Sequence, residues 1–230
     1  MRVALVITRG DDVGGANVHV RDLALGLRDD GHTVCVLAGG EGVFADMLRA
    51  LDIPVVVLPH LGRALRPWQD LRAFFEILRA LRDFRPDIVS THSSKAGWLG
   101  RLAARLLGLP SVFTAHGWAF SDGVPLLPRR VYRLAEKLAA AIGDHVIAVS
   151  EYDRRLALDL RVTRPGRITT VHNGIPTLPQ TQGADCMRQP PTLLMVARFA
   201  PQKDHATLLR ALESLPPALD WRLRLVGDGP

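Results

Sequence analysis

Arg198 and Lys203 stand five residues apart in the stretch Leu193–His205, LLMVARFAPQKDH. The apolar run Leu193–Ala197, with Pro190-Pro191 before it and Pro201 after it, predicts a short buried strand that empties into a loop carrying both cations. Ligands of open α/β sheets bind just outside the carboxyl ends of the strands. A planar guanidinium fork and a mobile ammonium can together clamp a doubly negative group such as a diphosphate. Gly14-Gly15 is a second anion-binding candidate, between the apolar run Val3–Thr8 and a helical pattern from Ala16. Missing side chains there let a ligand approach the backbone, and a helix N-terminus offers free N–H groups. The spacing matches neither GxGxxG nor GxxxxGKS, which argues against a nicotinamide site and a P-loop. His92, Ser94 and Lys95 follow one strand pattern, His116 follows another, and Gly227 ends the last one. All of these polar groups are therefore expected at strand carboxyl ends. No DxD triplet is present, Asp11-Asp12 and Asp29-Asp30 do not make one, and Cys35 and Cys186 form no CxxC. No metal site is expected.

The elements that must position these groups alternate. Strand patterns at Val3–Thr8, Thr33–Ala38, Val55–Leu58, Asp87–Thr91, Ser111–Ala115, His145–Val149 and Ile168–Val171 are separated by helical ones. The helical patterns are Ala16–Asp30, Val43–Leu51, Pro67–Phe84, Ala96–Leu107, Arg129–Ile142 and Glu151–Leu160. This predicts an α/β fold with a parallel sheet and helices on both faces. In Pro67–Phe84, the residues Trp68, Leu71, Phe74, Phe75, Leu78 and Leu81 share one side, opposite Arg72, Glu76, Arg79 and Arg82. That reads as a core-packing helix, with membrane-surface binding as the alternative. Residues 173–191 hold four Pro and two Gly and read as an interdomain linker after a first domain at 1–172. Residues 192–230 carry one strand, a helix at His205–Ser214 and a strand at Leu223–Val226. A lone βαβ unit buries too little to be stable alone, so these residues read as the start of a second domain that is cut short.

Composition narrows the class of partner. The 47% hydrophobic content supports a sizeable core and excludes disorder. Twenty-nine Lys and Arg against 23 Asp and Glu leave a net charge of +6, which favours anionic partners. Aromatic residues are only 6% and show no stacking pattern, so nucleic acid is the weakest of these. No signal peptide and no apolar run of ~18 residues is seen, and the cysteine usage suits a reducing compartment. The expected location is the cytoplasm, with attachment at the inner face of a membrane left open.

The sequence resembles the retaining glycosyltransferases of family 4, which have the GT-B fold of two facing Rossmann-like domains. The matching pieces are Gly14-Gly15-Ala16 with His19-Val20, Gly31-His32-Thr33-Val34, His92-Ser93-Ser94-Lys95-Ala96-Gly97 and Thr114-Ala115-His116-Gly117. Further matches are Val149-Ser150-Glu151, Val171-His172-Asn173-Gly174-Ile175, Val196-Ala197-Arg198-Phe199 with Lys203-Asp204, and Val226-Gly227-Asp228-Gly229-Pro230. They run in the family's order along nearly the whole chain. The resemblance implies a hexosyltransferase-type enzyme that moves a sugar from a nucleotide-diphosphate donor. The acceptor would be a glycan or a polyprenyl-diphosphate-linked lipid of surface polysaccharide synthesis, and no cofactor or metal would be needed. It implies that Gly15 leaves room for the donor diphosphate and acceptor, and that His116 lies near the transferred sugar. Arg198 and Lys203 would hold the diphosphate in the cleft between two nucleotide-fold lobes, with Asn173-Gly174 at the interdomain crossing.

The family's acidic E-x7-E segment, which holds the donor sugar and ribose, has no counterpart in these residues. A 230-residue chain without turnover is accordingly expected as one outcome. A non-catalytic domain that binds an acceptor or a partner, and a sugar-nucleotide epimerase of the same architecture, are the alternatives. Arg129, Arg130, Arg133 and Lys137, on one helix, form a basic face that suits either solvent or the anionic headgroups of a membrane.

Overall fold

The structure, a computed structural model, describes residues 1–120, 126–175, 177, 187, 189–216 and 218–229. It divides into two compact units, Met1–Pro176 and Thr177–Pro230. The first is built on seven parallel strands: β1 (Arg2–Ile7), β2 (Thr33–Gly39), β3 (Val55–Leu58), β4 (Ile88–His92), β5 (Ser111–Ala115), β6 (His145–Ala148) and β7 (Ile168–Thr170). Their spatial order is β3-β2-β1-β4-β5-β6-β7. From β1 the chain winds to one side, and from β4 it winds to the other. The junction between β1 and β4 is therefore the point where the winding reverses and where α/β sheets open a ligand crevice.

The helices are α1 (Gly15–Asp29), α2 (Val43–Ala50), α3 (Pro67–Phe84), α4 (Ser94–Leu106), α5 (Leu126–Ile142) and α6 (Glu151–Asp159). Alternate residues of β1 point to opposite faces, as the two-residue repeat of a strand requires. Val3, Leu5 and Ile7 pack with Val20 and Ala24 of α1 and with Phe44 and Leu48 of α2. Ala4 and Val6 face Ala73, Ile77 and Leu81 of α3 and Ala103 and Ala104 of α4. Both faces are thus covered, and every large β1 side chain contributes about 1.5–3 kcal/mol of burial.

Two boundaries and one buried helix face depart from the sequence expectation for physical reasons. β4 extends through His92, which sits in register with Ile7 of β1 and Thr114 of β5 and is fully buried. α5 begins at Leu126 rather than Arg129, because Pro128 lies in its first turn, where the missing N–H has no helical partner to lose. α3 keeps its expected bounds but turns a different face inward. Its buried residues are Ala73, Ile77, Leu78, Ala80 and Leu81, whereas Trp68, Leu71 and Phe75 are exposed. The buried stripe runs through Ala73, Ile77, Ala80 and Leu81, with Phe74 packed at its edge, so it lies to one side of Trp68 and Phe75.

The helix layer is fastened by two ion pairs. Lys95 at the start of α4 reaches Asp70 at 2.6 Å, and also the carbonyl of Ala64, joining the first turns of α3 and α4. Arg101 of α4 reaches Glu136 of α5 at 3.2 Å in the interior, with its guanidinium 4.3 Å from the centre of the Phe113 ring.

The second unit, taken by itself, contains a parallel pair, β8 (Thr192–Val196) and β9 (Arg222–Val226), with α7 (His205–Glu213) between them in sequence. Leu193, Leu194, Val196 and Val226 are exposed, and α7 has no buried residue.

Candidate active site

Three elements bring their ends together where the sheet reverses. The loop after β1 leads into α1, β4 ends in His92, and the turn after β5 carries His116. Thr8 and Ser93 lock the first two: their hydroxyls are 2.6 Å apart, and the Thr8 oxygen also accepts from the Ala96 N–H at 3.1 Å. Ser93 adopts φ 71°, a rare conformation for a residue with a side chain, and it turns the chain from β4 into α4. Gly117 has φ 128°, a region that only glycine enters readily, so the turn directly after His116 depends on it. Trp118 then anchors this turn. It is buried, stacks on Phe120 and donates from Nε1 to the Asp153 carbonyl of α6 at 2.9 Å.

These constraints bring three histidines together. Nδ1 of His92 and Nε2 of His116 are 3.1 Å apart, and Ser90 Oγ is 3.1 Å from His92 Nε2. His19, one turn into α1, packs edge-on against His116 with ring centres 4.8 Å apart and lies 5.6 Å from the His92 ring. Among the described residues no buried side-chain nitrogen or oxygen lacks a partner. His19 and Nδ1 of His116, which have no hydrogen-bond partner there, therefore face water or a ligand.

Burial pushes the His116 imidazole down to about 4, with the neighbouring His19 adding to the effect. It holds His92 well below the usual histidine range, helped by His116 and His19, and it lowers His19 as well. All three are neutral at pH 7. A neutral imidazole can give or accept a hydrogen bond to a hydroxyl group, or ligate a soft cation. One donor atom from each of these side chains lies within 4.8 Å of the others, a grouping that could hold a metal ion. The sequence expectation considered acidic pairs and cysteines, and included His19 only as part of a motif match.

The glycine pair lies at the start of α1. Gly14 is its N-cap, with its N–H 3.3 Å from Asn17 Oδ1, and Gly15 is its first residue. A methyl group added at Gly15 would meet nothing within 4 Å, so neither packing nor conformation demands glycine there. The first turn of α1 carries no acidic residue to occupy its N–H groups. Arg9 nearby is committed to Asp11 at 3.0 Å and Asp12 at 2.8 Å.

The remaining candidates divide. Ser94 is exposed at the first turn of α4, whereas the Lys95 ammonium is taken up by Asp70 and Ala64 and serves to hold α3 against α4. Asn173 and Gly174 lie exposed just beyond β7. In the second unit Arg198 follows β8, and Lys203 ends the short 3-10 turn Pro201–Lys203. Both are exposed, with no ion pair among the described residues. Gly227 has φ 153°, and a side chain there would strike the Ala197 carbonyl at 2.1 Å, so its glycine closes the ends of β8 and β9 together.

The model of the family described as Glycosyltransferase Family 4 matches residues 13–177, more than half of the chain. The chain belongs to glycosyltransferase family 4. Its relatives include the UDP-Gal:alpha-D-GlcNAc-diphosphoundecaprenol alpha-1,3-galactosyltransferase of Escherichia coli, 33% identical over 131 residues, which are 56% of this chain and 33% of that one. The O-antigen biosynthesis glycosyltransferase WbnH of E. coli is 21% identical over 228 residues, 99% of this chain and 63% of WbnH. Among solved structures, Anabaena Alr3699/HepE in complex with UDP and glucose superposes with a TM-score of 0.74 at 21% identity, over 99% of this chain and 61% of that one. This likeness establishes the GT-B fold. The chain spans under two thirds of the length of each of these three proteins.

Proposed function

We propose that this protein transfers a sugar from a nucleotide-diphosphate donor to a glycan or polyprenyl-diphosphate-linked acceptor of surface polysaccharide synthesis. Anomeric configuration is retained in this reading, and no metal takes part. The observation that carries it is the meeting of His19, His92 and His116 with the open Gly14-Gly15 helix start at the sheet's reversal point, in a chain of this family. Uncharged imidazoles suit a sugar, whose hydroxyls need hydrogen bonds rather than charge. His116, with Nδ1 unpartnered, bonds the transferred sugar, and His92 behind it sets the orientation and proton position of its ring. The space over Gly15 admits the diphosphate, and the N–H groups of α1 face its charge.

Breaking the bond to the anomeric carbon leaves negative charge on the diphosphate, and Arg198 and Lys203 neutralise it in this reading. The named substrates of the relatives, a UDP-galactose donor and a diphosphoundecaprenol-linked acceptor, support the same substrate classes here. An acceptor on a lipid carrier also implies work at a membrane surface, where the protein would sit peripherally; no helix of the described residues is long and apolar enough to cross one.

Transfer from a UDP-sugar to a diphosphate-linked lipid acceptor is the direct test, with the anomeric configuration of the product read by NMR. Arg198→Ala and Lys203→Ala are each expected to lower turnover ~10²-fold, the usual cost of removing one leaving-group contact. EDTA is expected to leave the rate unchanged. Activity lost to EDTA and restored by a divalent ion would assign the charge neutralisation, or the histidine trio, to a metal instead.

A further inference from the structure

Helix α5 has two outward stripes. Leu127, Val131, Leu134 and Leu138 are spaced four, three and four residues apart and so share one face. They are 75%, 58%, 57% and 54% exposed. Arg130, Arg133 and Lys137 form the adjoining stripe and are exposed as well. The opposite face, with Glu136, Ala139 and Ala140, is the buried one. A surface helix ordinarily turns charge to solvent and keeps its leucines inside. Here the inward positions are held by Glu136 and two alanines and the leucines point out, over about 17 Å of helix length.

At the end of α5 the cationic stripe continues. Lys137 lines a cavity of ≈ 630 Å³ whose walls include Arg161, Arg164 and Arg167, with Ala140 and Val162 among its apolar lining. Arg167 is held by the carbonyls of Asp144 and Gly143, while Arg161 and Arg164 are exposed.

We propose that the outer face of α5 docks flat on an anionic phospholipid surface, its leucines entering the headgroup boundary and a lipid phosphate reaching the cavity edged by Lys137, Arg161 and Arg164. Charge complementarity selects this occupant. An apolar stripe alone would suit a protein partner equally, but a parallel row of cations ending in a cationic cavity matches an array of phosphates with acyl chains beneath. The inference deepens the lipid-linked acceptor reading, since it holds the protein on the surface where such an acceptor resides.

Flotation with vesicles of phosphatidylglycerol and phosphatidylcholine, against pure phosphatidylcholine, tests it without any sugar transfer. The chain is expected to bind the anionic vesicles at least tenfold more tightly, and less tightly as salt rises. Arg130→Gln and Lys137→Gln should each weaken binding roughly fivefold, and Leu134→Glu more than either, with circular dichroism unchanged because all three side chains are exposed. Equal binding to both vesicle types overturns the proposal, and so does unaltered binding of a folded Leu134→Glu variant. Absence of vesicle binding, with a dimer in light scattering that Leu134→Glu dissolves, also overturns it and makes the partner a second copy. Sugar transfer to a water-soluble acceptor by a chain that ignores vesicles would refute this surface and leave the proposed function standing. Vesicle binding without transfer would do the reverse.

Discussion

Three uncharged imidazoles packed together make the site sensitive to acid. His116 ionises at about 4 in the folded chain and near 6.5 when unfolded, so the unfolded state binds a proton first as pH falls. The stability from keeping it neutral is complete above pH 6.5 and is lost as pH falls through the folded value of about 4. For His116 alone this amounts to ~3 kcal/mol, and His92 and His19 act in the same direction. Melting temperature is expected to drop steeply between pH 6.5 and pH 4, and less steeply in His116→Gln; equal slopes would contradict the assignment. Gly15 separates binding from folding. Alanine fits the helix start without strain or collision, so Gly15→Ala should melt no lower than the parent chain. A methyl that displaces the donor by ~1 Å should nonetheless cost ~10²-fold in turnover, and unchanged kinetics would remove Gly15 from the site. The places of Gly15 and His116, beyond the ends of β1 and β5, were legible in sequence because each follows a recognisable strand pattern. The part played by His19 was not, because nothing local marks a histidine on α1 as the neighbour of two others at distant strand ends.

Among the elements, α4 carries the most consequence. It holds α3 through Lys95–Asp70 and α5 through Arg101–Glu136, and its first turn borders the site. Burial lowers the Arg101 value and raises that of Glu136, so each group compensates the other's desolvation. Arg101→Met is expected to cost about 3–5 kcal/mol in denaturant unfolding, because it leaves the buried Glu136 carboxylate with the Ser94 hydroxyl but no cation beside it. Pairing it with Glu136→Leu should restore most of that stability; a double variant as unstable as the single one would show that packing, not charge, is at stake. Element order and most boundaries could be read from the sequence, since strand and helix periods are local properties. Which side of α3 faces inward could not be. Ala73, Ile77, Ala80 and Leu81 take the buried positions and Trp68 and Phe75 stay exposed, because the inward stripe is chosen by the elements that α3 packs against.

For the molecule as a whole, the two units differ in how much apolar surface they cover. β1 and β4 have helices on both sides of their sheet, while β8 and β9 leave Leu194 and Val196 exposed. Amide exchange is therefore expected to be slowest in β1 and β4 and faster by orders of magnitude in β8, α7 and β9. Uniform protection across residues 192–226 would show that those strands are covered. What the sequence determined alone was the α/β alternation, the glycine-rich entry to α1 and the cation pair after β8, because each depends on residues close in the chain. Only the tertiary structure decided that β1 and β4 lie side by side, that His19, His92 and His116 meet there, that Lys95 is occupied by Asp70, and that α5 shows its leucines to solvent. Those outcomes depend on which strands become neighbours and how much room remains between layers, and that is settled by the packing of the whole domain rather than by any segment of it.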